Sequence, residues 1–380
     1  MKIVIAPDSF KESLSALQAA EAIEAGFRKV LPDAEYVKVP MADGGEGTVQ
    51  SLVDATQGRL VETEVTAPLG NPIKAAFGIS GDGQTAVIEM AAASGLHLVP
   101  PSQRNPLKTT SYGTGELIQA ALKHGVGKII LGIGGSATND GGAGMLQALG
   151  VKLLDENNRA IGFGGGNLHR LARIDLAESE GRLKNITLEV ACDVDNPLCG
   201  SFGASAVFGP QKGATPQMVA DLDRALRHFA KIVKRDTGAD ILTLAGAGAA
   251  GGMGGGLLVL PNVVLKSGVQ IVTETVKLAE ILRDADLVIT GEGRMDAQSI
   301  RGKTPIGVAK TAKVYGKPVV ALVGCLGDGY EAVYGYGIDA VFPILRNSGS
   351  LADALANGYE NLLSAAQNAA RLYCLAKQNC

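Results

Sequence analysis

Residues Leu287–Lys303 read LVITGEGRMDAQSIRGK, an apolar strand pattern that runs into a polar, glycine-rich loop. The segment Lys2–Ser13, KIVIAPDSFKES, has the same order of a short strand and a polar loop. A helix is predicted after each loop, over about residues 15–30 and from Pro305 onward. Strands and helices that alternate in this way are typical of a doubly wound parallel sheet. We therefore predict that the two ends of the chain form one such sheet.

The middle of the chain has a different pattern. Strands predicted at 61–66, 73–79 and 85–90 follow one another without a helix, which indicates an antiparallel patch. Helices and buried strands then alternate again. The predicted fold class is α/β, with a flavodoxin-like doubly wound domain interrupted by an inserted mixed α/β domain. The predicted boundaries are residues 1–60 and 275–380 for the first domain and 61–274 for the second. The first domain is expected to end in one unbroken helix over about 350–374.

The composition is that of a folded, nearly neutral protein. The 380 residues include 35 Lys and Arg against 38 Asp and Glu, a net charge of −3, and 46% are hydrophobic. Nucleic-acid-binding domains are usually basic, so this balance argues against that class. Glycine is the outlier, because 51 residues is roughly twice the usual share. Many loops must therefore bend tightly or let a ligand approach the backbone.

Cysteines and apolar stretches bear on localisation. The five cysteines, Cys380 among them, form no C-x-x-C pair and cannot all pair, so we expect a reducing compartment and a cytoplasmic protein. The charge-free stretch Ile241–Leu265 is mostly Gly and Ala in its middle, unlike a membrane span. The apolar run at the amino terminus is too short for a signal peptide. No membrane partner is therefore expected.

Polar loops follow the strands of the predicted doubly wound sheet. Ligands of such sheets bind at the carboxyl ends of the strands, where the strand order reverses. In a flavodoxin-like order, the loops Pro7–Ser13 and Gly291–Lys303 meet at that point, and both are rich in Asp, Glu, Lys, Arg and Ser. A capped helix start with a solvated lysine is the alternative for the first loop. The loop Asp43–Gly47 adds two carboxylates after another strand, although an ordinary turn explains it as well.

Residues Gly132–Gly142, GIGGSATNDGG, give the strongest single signal. Glycine-rich backbone between a strand and a helix can direct several N–H groups at phosphate oxygens. Ser136 and Thr138 add hydroxyl donors, and the Asn-Asp pair that follows can orient a metal or a substrate hydroxyl. The segment matches neither the G-x-x-x-x-G-K-S/T motif nor the dinucleotide motif. Anion or phosphate binding is the favoured interpretation, and a tight structural turn is the alternative.

Two further segments allow two interpretations each. Asp193 and Asp195 follow a predicted strand and offer paired carboxylates, but an Asx-turn explains them equally well. The stretch Gly246–Gly256 suits a second phosphate loop or close helix packing. The four histidines lack metal-ligand spacing and no Ser-His-Asp pattern is visible, which argues against a zinc enzyme or a triad hydrolase. The residues thus predict an anion- or phosphate-transfer enzyme that uses Mg²⁺.

Motifs along nearly the whole chain resemble those of the bacterial class I glycerate kinases, also called glycerate 2-kinases. The longer ones are APDSFKESLSA (6–16), PMADGGEGT (40–48), IGGSATNDGG (133–142), CDVDNPL (192–198) and TGEGRMDAQSIRGK (290–303). Shorter ones are GFGGGNL (162–168), FGPQKGA (208–214) and GAGAAGGMGGG (246–256). The resemblance implies phosphate transfer from ATP to D-glycerate, usually to 2-phosphoglycerate, in glycerate or sugar-acid catabolism. It also implies a flavodoxin-like domain interrupted by a second α/β domain.

With ATP as co-substrate and Mg²⁺ as cofactor, the protein mainly positions substrates and neutralises charge. Asp296 is the favoured base for the glycerate hydroxyl, Asp193 is the alternative base, and Lys303 is expected to face a phosphate or the substrate carboxylate. The predicted metal ligands are Asp8, Asp43, Asp140 and Glu292. The predicted phosphate and substrate contacts are Ser9, Lys11, Gly134, Gly135, Ser136, Thr138, Asn139, Gly141 and Arg294.

Two questions stay open at this level. The same acid-rich and glycine-rich loops would suit a non-catalytic protein that binds or senses a small hydroxy acid. The oligomeric state is also open, with a homodimer as one candidate.

Overall fold

A computed structural model describes residues 1–377, without the side chains of residues 179, 180, 182 and 377. Its strands are β1 (Lys2–Ile5), β2 (Glu35–Lys38), β3 (Arg59–Thr66), β4 (Pro72–Ile79), β5 (Thr85–Glu89), β6 (Lys128–Gly132), β7 (Lys152–Leu154), β8 (Arg173–Asp175), β9 (Thr187–Ala191), β10 (Val263–Lys266), β11 (Leu287–Met295), β12 (Val319–Leu326) and β13 (Ala340–Pro343). Its α-helices are α1 (Ala16–Arg28), α2 (Thr48–Thr56), α3 (Ala91–Ser94), α4 (Tyr112–Leu122), α5 (Ala143–Ala148), α6 (Ala177–Leu183), α7 (Ala204–Phe208), α8 (Pro216–Thr237), α9 (Ala249–Leu257), α10 (Gly268–Thr275), α11 (Leu278–Leu282), α12 (Thr304–Lys313), α13 (Leu351–Ala356) and α14 (Gly358–Lys377).

The first compact unit contains residues 1–43, 50–57 and those from 268 onward. Its sheet has the strand order β13-β12-β11-β1-β2. Every neighbouring pair is parallel, and Ile3 of β1 pairs with Leu287 on one side and Tyr36 on the other. This is the predicted flavodoxin-like order, and the order reverses between β1 and β11. The α/β fold class predicted from the sequence is therefore confirmed.

Local sequence explains why the elements of this unit form. The β1 residues Ile3, Val4 and Ile5 are fully buried, as expected for a central parallel strand that is covered on both faces. Helix α1 begins with a capping box, in which Ser15 Oγ accepts from Gln18 N and Gln18 Oε1 accepts from Ser15 N. The buried face of α1, with Ile23 among its residues, packs into the core of the sheet together with α14.

The second compact unit contains residues 44–49 and 58–267. Its six-stranded sheet has the order β10-β9-β6-β5-β4-β3. The pairs β3–β4 and β4–β5 are antiparallel, as the sequence predicts, whereas β5, β6, β9 and β10 run parallel. Strands β7 and β8 form a small separate antiparallel ladder. Helix α8 begins at Pro216, and Thr215 is its N-cap.

The two compact units are defined by contacts within the structure, whereas the predicted domains are defined by the pattern of strands and helices in the sequence. Contacts place residues 44–49 in the second unit and residues 50–57 in the first, so α2 crosses the division. The predicted boundaries, 1–60 with 275–380 and 61–274, stay a prediction about parts of the chain that fold independently.

Strand β11 differs from the prediction, because residues Gly291–Met295 were expected in a loop and instead lie in the strand. They continue the ladder with β12 as far as the pair Met295↔Leu326. Glycine permits this close pairing, since a Cβ at Gly291 would overlap the carbonyl oxygen of Leu322. Glu292 is therefore held on a rigid strand.

The carboxyl-terminal helix also differs from the prediction, because it is divided into α13 and α14 at Asn357. Near the end of α13, the Leu355 carbonyl accepts a hydrogen bond from Ser13 Oγ at 2.7 Å. A Cβ on Gly358 would overlap the same hydroxyl group. The break is thus fixed by a residue that is remote in the sequence, which helical spacing alone does not reveal.

Close packing of α1 against α14 generates the first prediction. A Cβ added to Gly26 would overlap the carbonyl oxygen of Leu363 and lie 2.7 Å from the Ala366 Cβ. Gly26→Ala should therefore lower the free energy of unfolding by about 1–3 kcal/mol, although Ala favours a helix intrinsically. Urea denaturation measures this, with the exposed Glu21→Ala on the same helix as the control, expected within about 0.5 kcal/mol of the unsubstituted protein. An unchanged Gly26→Ala would contradict the tight helix contact.

Candidate active site

Three carboxylates lie at the carboxyl ends of three neighbouring strands of the first unit, β11, β1 and β2. Asp8 follows β1, Asp43 follows β2, and Glu292 lies on β11. The Asp8 N–H donates to the Gly291 carbonyl at 2.9 Å, which fixes the loop after β1 against β11. We call Asp8, Asp43 and Glu292 the acidic cluster. It lies at the predicted switch point, where the strand order reverses.

Asp8 is the most perturbed acid of this cluster. Its carboxylate accepts hydrogen bonds from Thr304 Oγ1 at 2.6 Å and from Ser9 N at 2.7 Å. Burial raises the pKa of Asp8 to about 6, and the negative charges of Asp43 and Glu292 add to the rise, whereas these two hydrogen bonds oppose it. The cluster therefore holds more negative charge than its surroundings neutralise.

Glu292 is buried and both of its carboxylate oxygens have a partner. Oε1 accepts from Ser299 Oγ at 2.6 Å, and Oε2 accepts from Lys303 Nζ at 3.2 Å. Burial raises the pKa of Glu292, while these bonds and the charge of Lys303 lower it. Lys303 stands at the N-cap of α12, and its ammonium is directed at Glu292 in this structure.

Asp296 occupies the turn that follows β11. Its Oδ1 accepts from Gln298 N at 2.9 Å, and its Oδ2 lies 3.3 Å from Arg294 Nε. The Asp296 N–H donates to Ser299 Oγ, the same hydroxyl that donates to Glu292. Asp296 is half-buried and Arg294 is exposed, so both remain open to a ligand.

The first unit thus brings together most of the residues predicted from its two loops. Ser9 contacts Asp8 through its N–H, and a Cβ on Gly293 would lie 3.6 Å from the Lys11 backbone nitrogen. The Lys11 side chain is exposed. Sequence reasoning did not single out Thr304 and gave Ser299 no role, although their hydroxyls orient Asp8 and Glu292. Both residues lie close to Lys303 in the sequence, and this position was the one sign that they could belong to the site.

The acidic cluster suits Mg²⁺ by its chemistry. Mg²⁺ prefers oxygen ligands and is usually held by one or two carboxylates together with waters and substrate phosphates. Asp8 carries uncompensated negative charge, which a cation would offset. No group of three or more acidic, histidine or cysteine side chains among the described residues is arranged to hold a metal alone.

In the second unit, parallel strands bring another set of residues to one edge. Gly132 at the end of β6 pairs with Glu89 of β5 and with Ala191 of β9. The loop after β6 and the exposed Asp193 after β9 therefore start from neighbouring strands. Glu89, which was not predicted, accepts from Val49 N at 2.9 Å, and burial raises its pKa. This carboxylate binds the backbone at the start of α2.

The segment Gly132–Gly142, here called the glycine loop, is organised around Asp140. Its buried carboxylate accepts hydrogen bonds from four donors, which are Ser111 N, Ser111 Oγ, Gly142 N and Gly144 N, at 2.8–3.3 Å. Burial raises the pKa of Asp140, and these bonds lower it. Because both oxygens are already engaged, the surroundings favour a structural role for Asp140 over the predicted metal contact, which stays untested.

The other residues of the glycine loop that were predicted to bind phosphate or substrate differ in their exposure to solvent. Gly134 and Gly135 are exposed, whereas Ser136, Thr138 and Asn139 are buried. Asn139 Nδ2 donates to Ser205 Oγ at 3.0 Å. Gly141 has a φ of 63°, which glycine adopts without strain, and its N–H donates to the Gly251 carbonyl.

The stretch Gly246–Gly256 packs against this loop. A Cβ on Gly251 would overlap the Thr138 carbonyl oxygen, and one on Gly256 would overlap the Gly141 carbonyl oxygen. The backbone is left-handed at Gly251, Gly252 and also at Ala250, where φ is 53°. Of the two interpretations of its glycines, close packing is the one that these contacts support.

Lys212 is the main residue that sequence reasoning missed. It ends a short 3₁₀ turn, Pro210–Lys212, and its ammonium donates to Ser136 Oγ and to the Thr138 carbonyl, both at 2.6 Å. The motif FGPQKGA contains it, but nothing in the sequence distinguishes this lysine from a solvated one.

Comparison with known proteins relates this chain to one family. The model of the glycerate kinase family matches residues 3–374.

The chain belongs to the glycerate kinase family. Its members are phosphotransferases with an alcohol group as acceptor. The chain is 66% identical to a glycerate kinase from Haemophilus influenzae over 98% of each chain. It is 56% identical to a glycerate 2-kinase from Escherichia coli K12 over all of both chains. A crystal structure from Salmonella typhimurium LT2, provisionally named glycerate kinase 2, superposes with a TM-score of 0.93 at 56% identity and covers 100% of this chain and 99% of its own.

Two sequence-level expectations concern localisation. No helix in the described part of this family member is long and apolar enough to cross a membrane. Cys192, Cys199 and Cys325 carry free thiols, and Cys380 lies outside the described residues. The cytoplasmic localisation stays a prediction.

The raised pKa of Asp8 generates the second prediction. A pKa of about 6, against the ordinary 3.8, means that the folded chain binds this proton more tightly than the unfolded chain. The contribution of Asp8 to the free energy of unfolding should therefore fall between about pH 4 and pH 7, by about 3 kcal/mol at most. Asp8→Asn removes this titrating group. The free energy of unfolding of the variant, measured relative to the unsubstituted protein, should therefore rise by up to about 3 kcal/mol between about pH 4 and pH 7. Urea denaturation at several pH values measures it, with the exposed Glu21→Gln as control. A difference in free energy of unfolding between Asp8→Asn and the unsubstituted protein that does not change with pH would contradict a raised pKa of Asp8.

Proposed function

We propose that this protein is an ATP-dependent kinase that phosphorylates D-glycerate at its 2-hydroxyl and gives 2-phosphoglycerate, with Mg²⁺ as cofactor. The observation that carries the proposal is whole-chain similarity to proteins named glycerate kinase and glycerate 2-kinase, at 56–66% identity. Residues that suit such a reaction stand at the carboxyl ends of strands in each unit. Family membership disfavours the alternative of a non-catalytic hydroxy-acid sensor.

The chemistry assigns roles to the first unit. The acceptor hydroxyl must lose its proton as its oxygen attacks the γ-phosphorus and the bond to the leaving ADP oxygen breaks. Asp8 and Asp43 are the groups that we propose hold Mg²⁺, with Glu292 orienting Lys303 and Ser299 beside them. Bound Mg²⁺ would neutralise charge on the nucleotide phosphates. Arg294, with its exposed guanidinium, suits the glycerate carboxylate.

The third prediction tests turnover and the position of the phosphate. ADP should be released only when D-glycerate and Mg²⁺ are both present, and chelation with EDTA should abolish the release. The product should be consumed directly by enolase, which takes 2-phosphoglycerate. A product that needs added phosphoglycerate mutase before enolase acts would overturn the assignment to the 2-hydroxyl alone. Binding of D-glycerate without ADP release would support the sensor instead.

The fourth prediction tests the base. Asp296 is the favoured group, so Asp296→Asn should lower kcat by about 10²–10⁴-fold while ATP affinity changes little. Asp193→Asn is the matched variant in the second unit, and the exposed Asp33→Asn is the control. A near-normal kcat in Asp296→Asn together with an inactive Asp193→Asn would transfer the role to Asp193. If both variants stayed active, positioning and charge neutralisation alone would have to carry the reaction.

A further inference from the structure

Lys212 is a buried lysine in a polar environment. Its residue is 2% exposed, which is rare because lysines are almost never fully buried unless they are paired. No carboxylate forms an ion pair with it among the described residues, and its hydrogen-bond acceptors there are Ser136 Oγ and the Thr138 carbonyl. Both acceptors belong to the glycine loop. Lys212 therefore ties this loop to the turn at 210–212.

The backbone of the glycine loop is asymmetric in its hydrogen bonding. Three of its carbonyls accept hydrogen bonds from the rest of the protein, since Gly135 accepts from Leu96 N, Ala137 accepts from Thr109 Oγ1, and Thr138 accepts from Lys212. Six N–H groups donate no hydrogen bond to any described residue; they belong to Gly134, Gly135, Ser136, Thr138, Asn139 and Asp140. Ser136, Thr138, Asn139 and Asp140 are buried, and buried backbone donors normally have a partner, so their unused N–H groups indicate a ligand that supplies several acceptors.

Two buried side-chain atoms point to the same conclusion independently. Thr138 Oγ1 and Asn139 Oδ1 have no hydrogen-bond partner among the described residues, although both residues are 0% exposed. A buried hydroxyl or amide without a partner carries a free-energy cost that a ligand or an ordered water can remove.

The electrostatics suit an anion. Burial lowers the pKa of Lys212 to about 7, and the negative charge of Asp140 opposes this effect. Arg104 adds a cationic side chain beside this turn, where its Nη1 donates to the Gln211 carbonyl. An anion bound to the loop amides would favour the charged form of Lys212 and so raise its pKa.

We infer that Lys212 is a positioning residue for the nucleotide polyphosphate, which holds the Thr138 carbonyl inward so that the amides of the glycine loop face the phosphates. The inference rests on the proposed kinase function. Because a trans peptide directs its C=O and N–H oppositely, fixing the Thr138 carbonyl also fixes the Asn139 N–H. The ammonium adds positive charge behind these donors.

The kinetic test compares Lys212→Met with the matched control Lys231→Met, an exposed lysine on α8. Methionine keeps the length of the side chain and removes the charge and both hydrogen bonds. The KM for ATP should rise about 10- to 100-fold in Lys212→Met, since charge-assisted bonds of this kind are usually worth that much. The KM for D-glycerate should stay within about twofold, and Lys231→Met should match the unsubstituted protein. Ser136→Ala removes one of the two bonds and should give a smaller rise.

A second measurement needs no variant, which keeps the inference testable if Lys212→Met fails to fold. Titration calorimetry of ATP at pH 8, in two buffers of different ionisation enthalpy, reports proton uptake. The unsubstituted protein should take up a proton on binding, up to about one per ATP, because the bound anion recharges Lys212. Lys212→Met should take up less.

The outcomes separate this inference from the proposed function. If the unsubstituted protein releases no ADP with D-glycerate, the proposed function fails first. If it turns over but Lys212→Met keeps a normal KM for ATP, the positioning role is overturned. Equal proton uptake by the two proteins, or no uptake by the unsubstituted protein, overturns it as well.

Discussion

Backbone packs directly against backbone around the glycine loop, and the rest of the second unit is arranged to permit this. Gly251, Gly256 and Gly165 each lie so close to a loop carbonyl that a Cβ would overlap it. The carbonyls are those of Thr138, Gly141 and Asn139. These oxygens are turned toward the protein, and several loop amides have no acceptor among the described residues, although the Gly141 N–H donates to the Gly251 carbonyl. Part of the high glycine content of the chain therefore permits this direct contact between backbone segments, in addition to ordinary turns.

A buried charge completes this arrangement. Asp140 gathers four donors from Ser111, Gly142 and Gly144, which locks the end of the loop to the start of α5. Removing such a carboxylate would leave several buried donors unpaired, so its contribution is large even though its own burial is costly. Asp8 in the first unit differs from Asp140. Burial and the neighbouring charges of Asp43 and Glu292 make its ionised form unfavourable, which selection for stability alone would not retain. Asp140 therefore supports the fold through its hydrogen bonds, whereas Asp8 keeps a charge that burial disfavours.

Sequence patterns predicted the strand order and the switch point, because buried parallel strands and helical spacing are local signals. These sequence patterns did not predict the ends of elements that depend on contacts with residues far away in the sequence. The extension of β11 depends on glycines that fit against β12, and the break before α14 depends on Ser13. Strands β8 and β10 were not predicted, since they are short and pair only within the assembled fold. Asp8 and Asp43 could be predicted because they follow strands, and Glu292 because it comes directly after the apolar residues of β11. Lys212 could not, because a single lysine in a turn gives no sign of burial.

The discontinuous sheet of the first unit also has a consequence for biogenesis. Strand β1 is among the first segments to leave the ribosome, yet its neighbour β11, paired through Ile3↔Leu287, is made more than 280 residues later. At roughly 5–20 residues per second, that interval lasts on the order of 15–60 seconds. The second unit is synthesised during this interval and ends at residue 267, shortly before β11, while β1, α1 and β2 wait with their apolar faces uncovered. We therefore expect the nascent chain to expose apolar segments that chaperones bind until β11 is made.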